Sequence, residues 1–221
     1  MDGLNRALKY ATFRAGRVIG VALLMSVGFV FYFVFLNGVA FTPENLISRF
    51  PLMLLFIGNL MVMLYGMLDV ATYTQLTLTY GSTRRNAAIS VYYMQVVQIL
   101  VILGIMVLFY TLVPERWLTG DGKGICLMAL ILFLFGSGLA LVSGVLIHRF
   151  GKVAYMIVVV ICSLGGGVFG GLVGFHGGTD FLAEYLNLMS GIMLLGVIGV
   201  IWYAVAAVIF WCFIRKIEVR V

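Results

Sequence analysis

From Val18 to Leu36 the chain runs for nineteen residues without a charged side chain, and five further runs of similar or greater length follow it. The six runs are 18–36, 51–69, 87–113, 124–147, 153–175 and 189–213, and the one charge inside them is Asp69, at the end of the second. A helix needs about 20 residues to cross about 30 Å of hydrocarbon, so each run is long enough to span a bilayer. No water is present there to pair with a bare peptide group, which leaves helices and closed barrels as the spanning forms. These runs are apolar all round and lack the alternation of a barrel strand, so they are predicted to be helices. A soluble alternative lacks the charge to cover it. Of the 221 residues, 63% are hydrophobic and 10% charged, whereas a soluble domain carries roughly a quarter charged residues. The expected fold is all-α: a polytopic membrane protein with six transmembrane helices, in a single transmembrane domain covering residues 1–221.

Lysine and arginine set the orientation. With six spans, Arg6, Lys9, Arg14, Arg17, Arg84, Arg85, Arg149, Lys152, Arg215, Lys216 and Arg220 fall on one side, and only Arg49, Arg116 and Lys123 on the other. The positive-inside rule then places the first side, with both termini, in the cytoplasm. The formal net charge of +6 reads as a topogenic signal and an attraction to anionic lipid, with no nucleic-acid partner implied. Ahead of the first span, residues 4–17 read as a short helix with Leu4, Leu8, Ala11 and Ala15 on one face and Arg6, Lys9 and Arg17 elsewhere. A basic helix with an apolar stripe tends to lie in the membrane interface, so an N-terminal interfacial helix is expected.

The stretch between spans 2 and 3, residues 70–86, is polar and almost uncharged until it ends in paired arginines: "VATYTQLTLTYGSTRRN". Asp69 is of the N-cap type, with Arg84 or Arg85 as its expected partner. Gly81 suits a left-handed helix end, and Ser82 or Thr83 can cap the next helix. A short helix bent away from span 2, then a sharp turn into span 3, is predicted. Neutral side chains with two tyrosines, Tyr73 and Tyr80, suit a surface docked in a groove of another protein.

This layout resembles the permease subunit of a type-2 ABC exporter of the small bacterial kind. The resemblance is carried in sequence by residues 75–86, with the core Gly81, Ser82, Thr83 and Arg84. It implies that residues 70–86 hold a cytoplasmic coupling helix that docks on a separate soluble ABC ATPase. The docking residues would be Tyr73, Gln75, Thr77, Thr79, Tyr80, Gly81, Ser82, Thr83, Arg84 and Arg85. ATP and Mg would then be bound by that partner and no cofactor by this chain. A second permease copy, or a sister permease, would complete the path in the bacterial plasma membrane. An amphipathic or hydrophobic cargo, with peptide favoured, is expected, since compact relatives include exporters of antimicrobial and phenol-soluble-modulin-like peptides. The alternative is a non-transporting membrane sensor, immunity or scaffold subunit. The family also places a short amphipathic segment outside, between spans 5 and 6, where this chain has residues 176–187.

Apparent chemical motifs fail on their spacing. "TGDGKG", residues 119–124, has Trp117 and Gly124 where a phosphate loop needs Gly and then Ser or Thr. Ser137 in "FGSG" would need a histidine at its own depth to become a nucleophile. His148 and His176 are expected near helix ends instead. No catalytic or metal site is therefore expected. Cys126, Cys162 and Cys212 lie in apolar runs and read as packing residues. Gly166, Gly170, Gly174 and Gly178 repeat every four residues and suit close helix packing. Asn59, Gln95 and Gln98 are the main deep polar residues. They either bond between helices, which is the expectation, or line a translocation path. Met53, Met61, Met63 and Met67 with Tyr65 read as packing on span 2.

Overall fold

A computed structural model describes residues 2–38, 40–74, 78, 83–114, 122–158, 160 and 189–216. Its long helices are α1 (Asp2–Leu36), α2 (Pro43–Leu68), α3 (Arg84–Leu112), α4 (Gly122–Phe150) and α5 (Met189–Lys216). A π-helical turn, Asp69–Tyr73, continues α2 without a break. All five helices are long and apolar enough to cross a membrane, so the chain is a membrane-embedded helical protein. Of the fifth predicted run, 153–175, residues 159 and 161–175 lie outside the described residues.

Contacts at three heights fix the direction of the helices. Tyr10 meets Tyr73, Arg14 meets Asp69, and Arg49 sits over the ring of Phe33, so α1 and α2 are antiparallel along their whole length. Phe50 packs on Phe109 and Gly66 lies against Gln95, which makes α3 antiparallel to α2. Gly58 faces Phe133, Gly66 faces Ala140 and Gly144 faces Val70, so α4 runs parallel to α2. Finally, Gly196 faces Ile131, Gly199 faces Phe135 and Phe213 meets His148. Thus α4 and α5, consecutive among the described long helices, run parallel. The starts of α1 and α3 and the ends of α2, α4 and α5 gather at one basic end.

Two expectations change. The predicted interfacial helix, residues 4–17, is not a separate element, because α1 passes through it unbroken. The steady register from Tyr10–Tyr73 to Phe33–Arg49 leaves no room for a bend between them. Ala11 and Ala15, expected on a lipid-facing stripe, are buried against Met61 and Met94. The second helix also begins before its predicted span, at Pro43. Thr42 accepts a hydrogen bond from the Asn45 N–H at 3.3 Å, and proline suits the first helical position because it has no N–H to leave unpaired. Glu44 and Arg49 lie on this early part, so the helix reaches past the apolar run.

Helices in lipid gain little from burying apolar area and associate instead through close contact. Gly144 shows this directly. A Cβ there would lie 2.7 Å from Cγ1 of Val70 and 2.9 Å from the Met67 carbonyl oxygen. Gly151 ends α4 with φ +64°, a left-handed turn that glycine adopts without strain. Gly28 on α1 has no neighbour within 4 Å of a Cβ. Gly144→Val is expected to destabilise the chain by about 1–3 kcal/mol, as overpacking does. Gly28→Ala should be close to neutral, and unfolding midpoints in one detergent compare the two.

Candidate functional site

Two polar clusters interrupt the apolar bundle. The first lies at the basic end, where Asp69 sits in the π-helical turn and is 2% exposed. A carboxylate this buried needs a cation, and Arg14 of α1 supplies it through an ion pair between its Nη1 and Oδ1 of Asp69. The guanidinium carbon of Arg14 lies 3.2 Å from the centroid of the Tyr73 ring, so the charge rests on a π-face as well. Tyr10, one turn before Arg14, meets the same Tyr73 ring at 6.0 Å. Thr74 donates through its hydroxyl to the Asp69 carbonyl at 3.1 Å. The expected partner of Asp69 was Arg84 or Arg85, and the structure assigns Arg14 instead. Asp69 caps no helix start, and the expected bend at that residue is absent through Thr74.

Arg84 is occupied elsewhere. Its Nη1 donates to the carbonyl of Arg215 at 2.7 Å, one of the last carbonyls of α5, where a helix has no partner of its own and carries partial negative charge. Thr83 caps α3, accepting from the Asn86 N–H at 3.2 Å. Arg85 is exposed. Leu78 is buried in a core cluster with Val70, Ala88 and Phe210. Of the predicted docking residues, Tyr73, Thr83, Arg84 and Arg85 are thus placed at this end. Gln75, Thr77, Thr79, Tyr80, Gly81 and Ser82 lie outside the described residues, as do Gly166, Gly170, Gly174 and Gly178.

The second cluster lies midway along the bundle. Gln95 and Gln98, one turn apart on α3, are both fully buried. Gln95 accepts a hydrogen bond from the Tyr203 hydroxyl of α5 at 3.2 Å. Its Nε2, both polar atoms of Gln98, Oδ1 of Asn59 and Oγ of Ser137 are buried without a hydrogen-bond partner. The helix registers put Gln98 and Ser137 at one level. Asn59, whose carboxamide rests against Gly136, lies about a turn toward the far end. So the structure brings the three deep amides into one seam, and interhelical bonding holds for Gln95 alone. Ser137 belongs to that seam and is three turns from His148 on the same helix, roughly 16 Å, so the two do not form a nucleophile and base. Among the described residues no three of His, Cys, Asp and Glu come together.

Sequence reasoning missed Arg14. The signal was present: Arg14 is three residues after Ala11 and one before Ala15, so it is the basic residue that shares their buried face. No family model matches the chain, and no curated protein and no solved structure matches it either.

Removing one partner of a buried ion pair leaves an uncompensated charge. Arg14→Gln and Asp69→Asn are each expected to cost about 3–5 kcal/mol, and the double variant less than the sum, read as a double-mutant cycle of unfolding midpoints. The amides should separate in the same assay. Gln98→Met removes two unpartnered polar atoms, whereas Gln95→Met orphans the Tyr203 hydroxyl. Gln98→Met is therefore expected to be the more stable of the two by about 1–3 kcal/mol.

Proposed function

We propose that the chain is the membrane-spanning permease subunit of an ATP-driven exporter of the type-2 ABC kind. A separate cytoplasmic ATPase binds ATP and Mg, docks on residues 70–86 and drives an amphipathic or hydrophobic cargo, with peptide favoured, out of the cell. Two copies, or this chain with a sister permease, form the path. The observation that carries this reading is the way the segment resembling a coupling helix is fastened at both ends. Tyr73 and Asp69 tie its start to α1. Leu78 is seated in the core, and Arg84 ties its end to the last turn of α5. A push on this segment is therefore delivered to α1, α2, α3 and α5 together, which is what a docked motor requires of its handle.

The same reading puts the basic end in the cytoplasm and makes residues 153–175 a sixth crossing. The parallel course of α4 and α5 supports that crossing. Phe150 ends α4 at the basic end, yet α5 must start at the far end to bring Arg215 beside Arg84. A chain that joins two parallel spans has to return through the membrane between them.

The test is purification from native membranes in mild detergent, with mass spectrometry of whatever stays bound. A stoichiometric soluble ATPase is expected, and its loss when residues 81–85 are replaced by a flexible linker. A chain that emerges alone, or with a signalling protein, would sink the exporter reading and leave the sensor or scaffold role.

A further inference from the structure

Beside the Tyr73 ring, α1 and the end of α2 leave an open cleft of about 490 Å³. This lies within the usual range for a small-molecule site. Its two halves differ in chemistry. Toward the basic end it is lined by Arg17 and by Tyr10, Tyr65 and Tyr73. Along α1 toward the membrane it continues over Val21 and Leu24. Seven residues of helix separate Arg17 from Leu24, roughly 10 Å. The cleft thus runs from a cationic, hydroxyl-bearing level to a purely apolar one.

The charge in the polar half is uncompensated. Arg14 also reaches this cleft but is neutralised by Asp69. Arg17 is exposed, its guanidinium carbon is 4.4 Å from the centroid of the Phe13 ring, and no carboxylate among the described residues is within ion-pair distance of it. It stands immediately before the uncharged run Val18–Leu36, at the level where a spanning helix leaves hydrocarbon for headgroups. A tyrosine hydroxyl is a good donor to a phosphate oxygen, and Tyr10, Tyr65 and Tyr73 all line the cleft. Leu24 is 75% exposed, so the apolar half opens sideways onto the bilayer.

We propose that this cleft binds one anionic phospholipid. Its phosphate is held by Arg17 and the tyrosine hydroxyls, and the upper part of its acyl chains lies along Val21 and Leu24. A free phosphate would use only the upper half. A zwitterionic lipid would bring a cation against Arg17. Bound there, the lipid lies beside Tyr73 and Arg14, where α1 meets the end of α2. The site stands on the charge and shape of the cleft and does not depend on the exporter reading.

The experiment is a thermal unfolding series on the purified full chain in neutral detergent. Phosphatidylglycerol, phosphatidylcholine or the soluble headgroup fragment glycerol 3-phosphate is added to the wild type and to R17Q and R6Q. Arg6 is another exposed cation of α1, outside the cleft, so both variants lose the same charge. Phosphatidylglycerol is expected to raise the wild-type midpoint by on the order of 4 °C at saturation, well above either other addition. R6Q should keep that rise and R17Q lose it, with lipid-free midpoints near the wild type. An equal rise with phosphatidylcholine overturns the preference for anionic lipid. An equal rise with glycerol 3-phosphate makes it a soluble-phosphate site, and equal losses in R17Q and R6Q reduce it to diffuse charge. The three wild-type additions decide the matter even where a variant fails to fold.

Discussion

Inside a bilayer a peptide group has no solvent to pair with, and every other feature of this chain follows from that. Each crossing segment closes its own hydrogen bonds as a helix, which leaves only side chains to hold one helix to another. Lipid is as apolar as leucine, so area burial discriminates little between a neighbour helix and the surroundings. Contact at short range takes over, as where Gly144 admits Val70. The few polar links are economical in a related way. The Tyr92 hydroxyl donates to the Ala207 carbonyl at 2.7 Å and the Trp202 indole N–H to the Phe135 carbonyl at 3.3 Å. A carbonyl has two lone pairs, so a neighbouring helix is bound without opening a backbone bond.

Against that background the Arg14–Asp69 pair is the costly exception. Taking two charges out of water is repaid only by good geometry and added partners. Here the additions are visible: the Tyr73 ring beneath the guanidinium, with Asp69 and Tyr73 at the two ends of one π-helical turn. π-helical turns concentrate where function calls for an irregular helix. The pair joins α1 to the point where α2 gives way to the polar segment, and Arg84 on the Arg215 carbonyl fastens the other side. The basic end is thus clamped by charge, while at the far end ring contacts join the helices, as in Phe50 on Phe109 and Arg49 over Phe33.

Five of the six predicted spanning runs are matched by long apolar helices, and they were legible in the sequence because one physical variable, charge-free length, decides them. The ends of the helices were less so. The run ending at Phe50 looks polar through Glu44 and Arg49, yet the helix begins at Pro43, because a helix is free to continue beyond the hydrocarbon. The stripe Leu4, Leu8, Ala11 and Ala15 suits an interfacial helix and a packed one equally. What decides between them is Arg14, which needs Asp69 fifty-five residues later, and no local pattern carries a pairing of that range. Asn59, Gln95 and Gln98 were recognisable as deep polar groups, whereas their gathering with Ser137 depends on the register of three helices. Gln75 to Thr77 and Thr79 to Ser82, on which the resemblance chiefly rests, are outside the described residues.

The contrast between the two polar clusters bears on how such a bundle could switch between states. Breaking the Arg14–Asp69 pair strands a buried charge, so an arrangement that separates α1 from the end of α2 is heavily disfavoured. The amide seam behaves oppositely. Gln98 and Ser137 have no hydrogen bonds to lose, and they lie at one level on α3 and α4. Each group left without a bond there carries a desolvation cost of about 1–3 kcal/mol, so the seam resists rearrangement far less than the ion pair does. The bundle is thus clamped at its basic end and poorly satisfied at its middle, and both features are written in residues that interrupt the apolar runs.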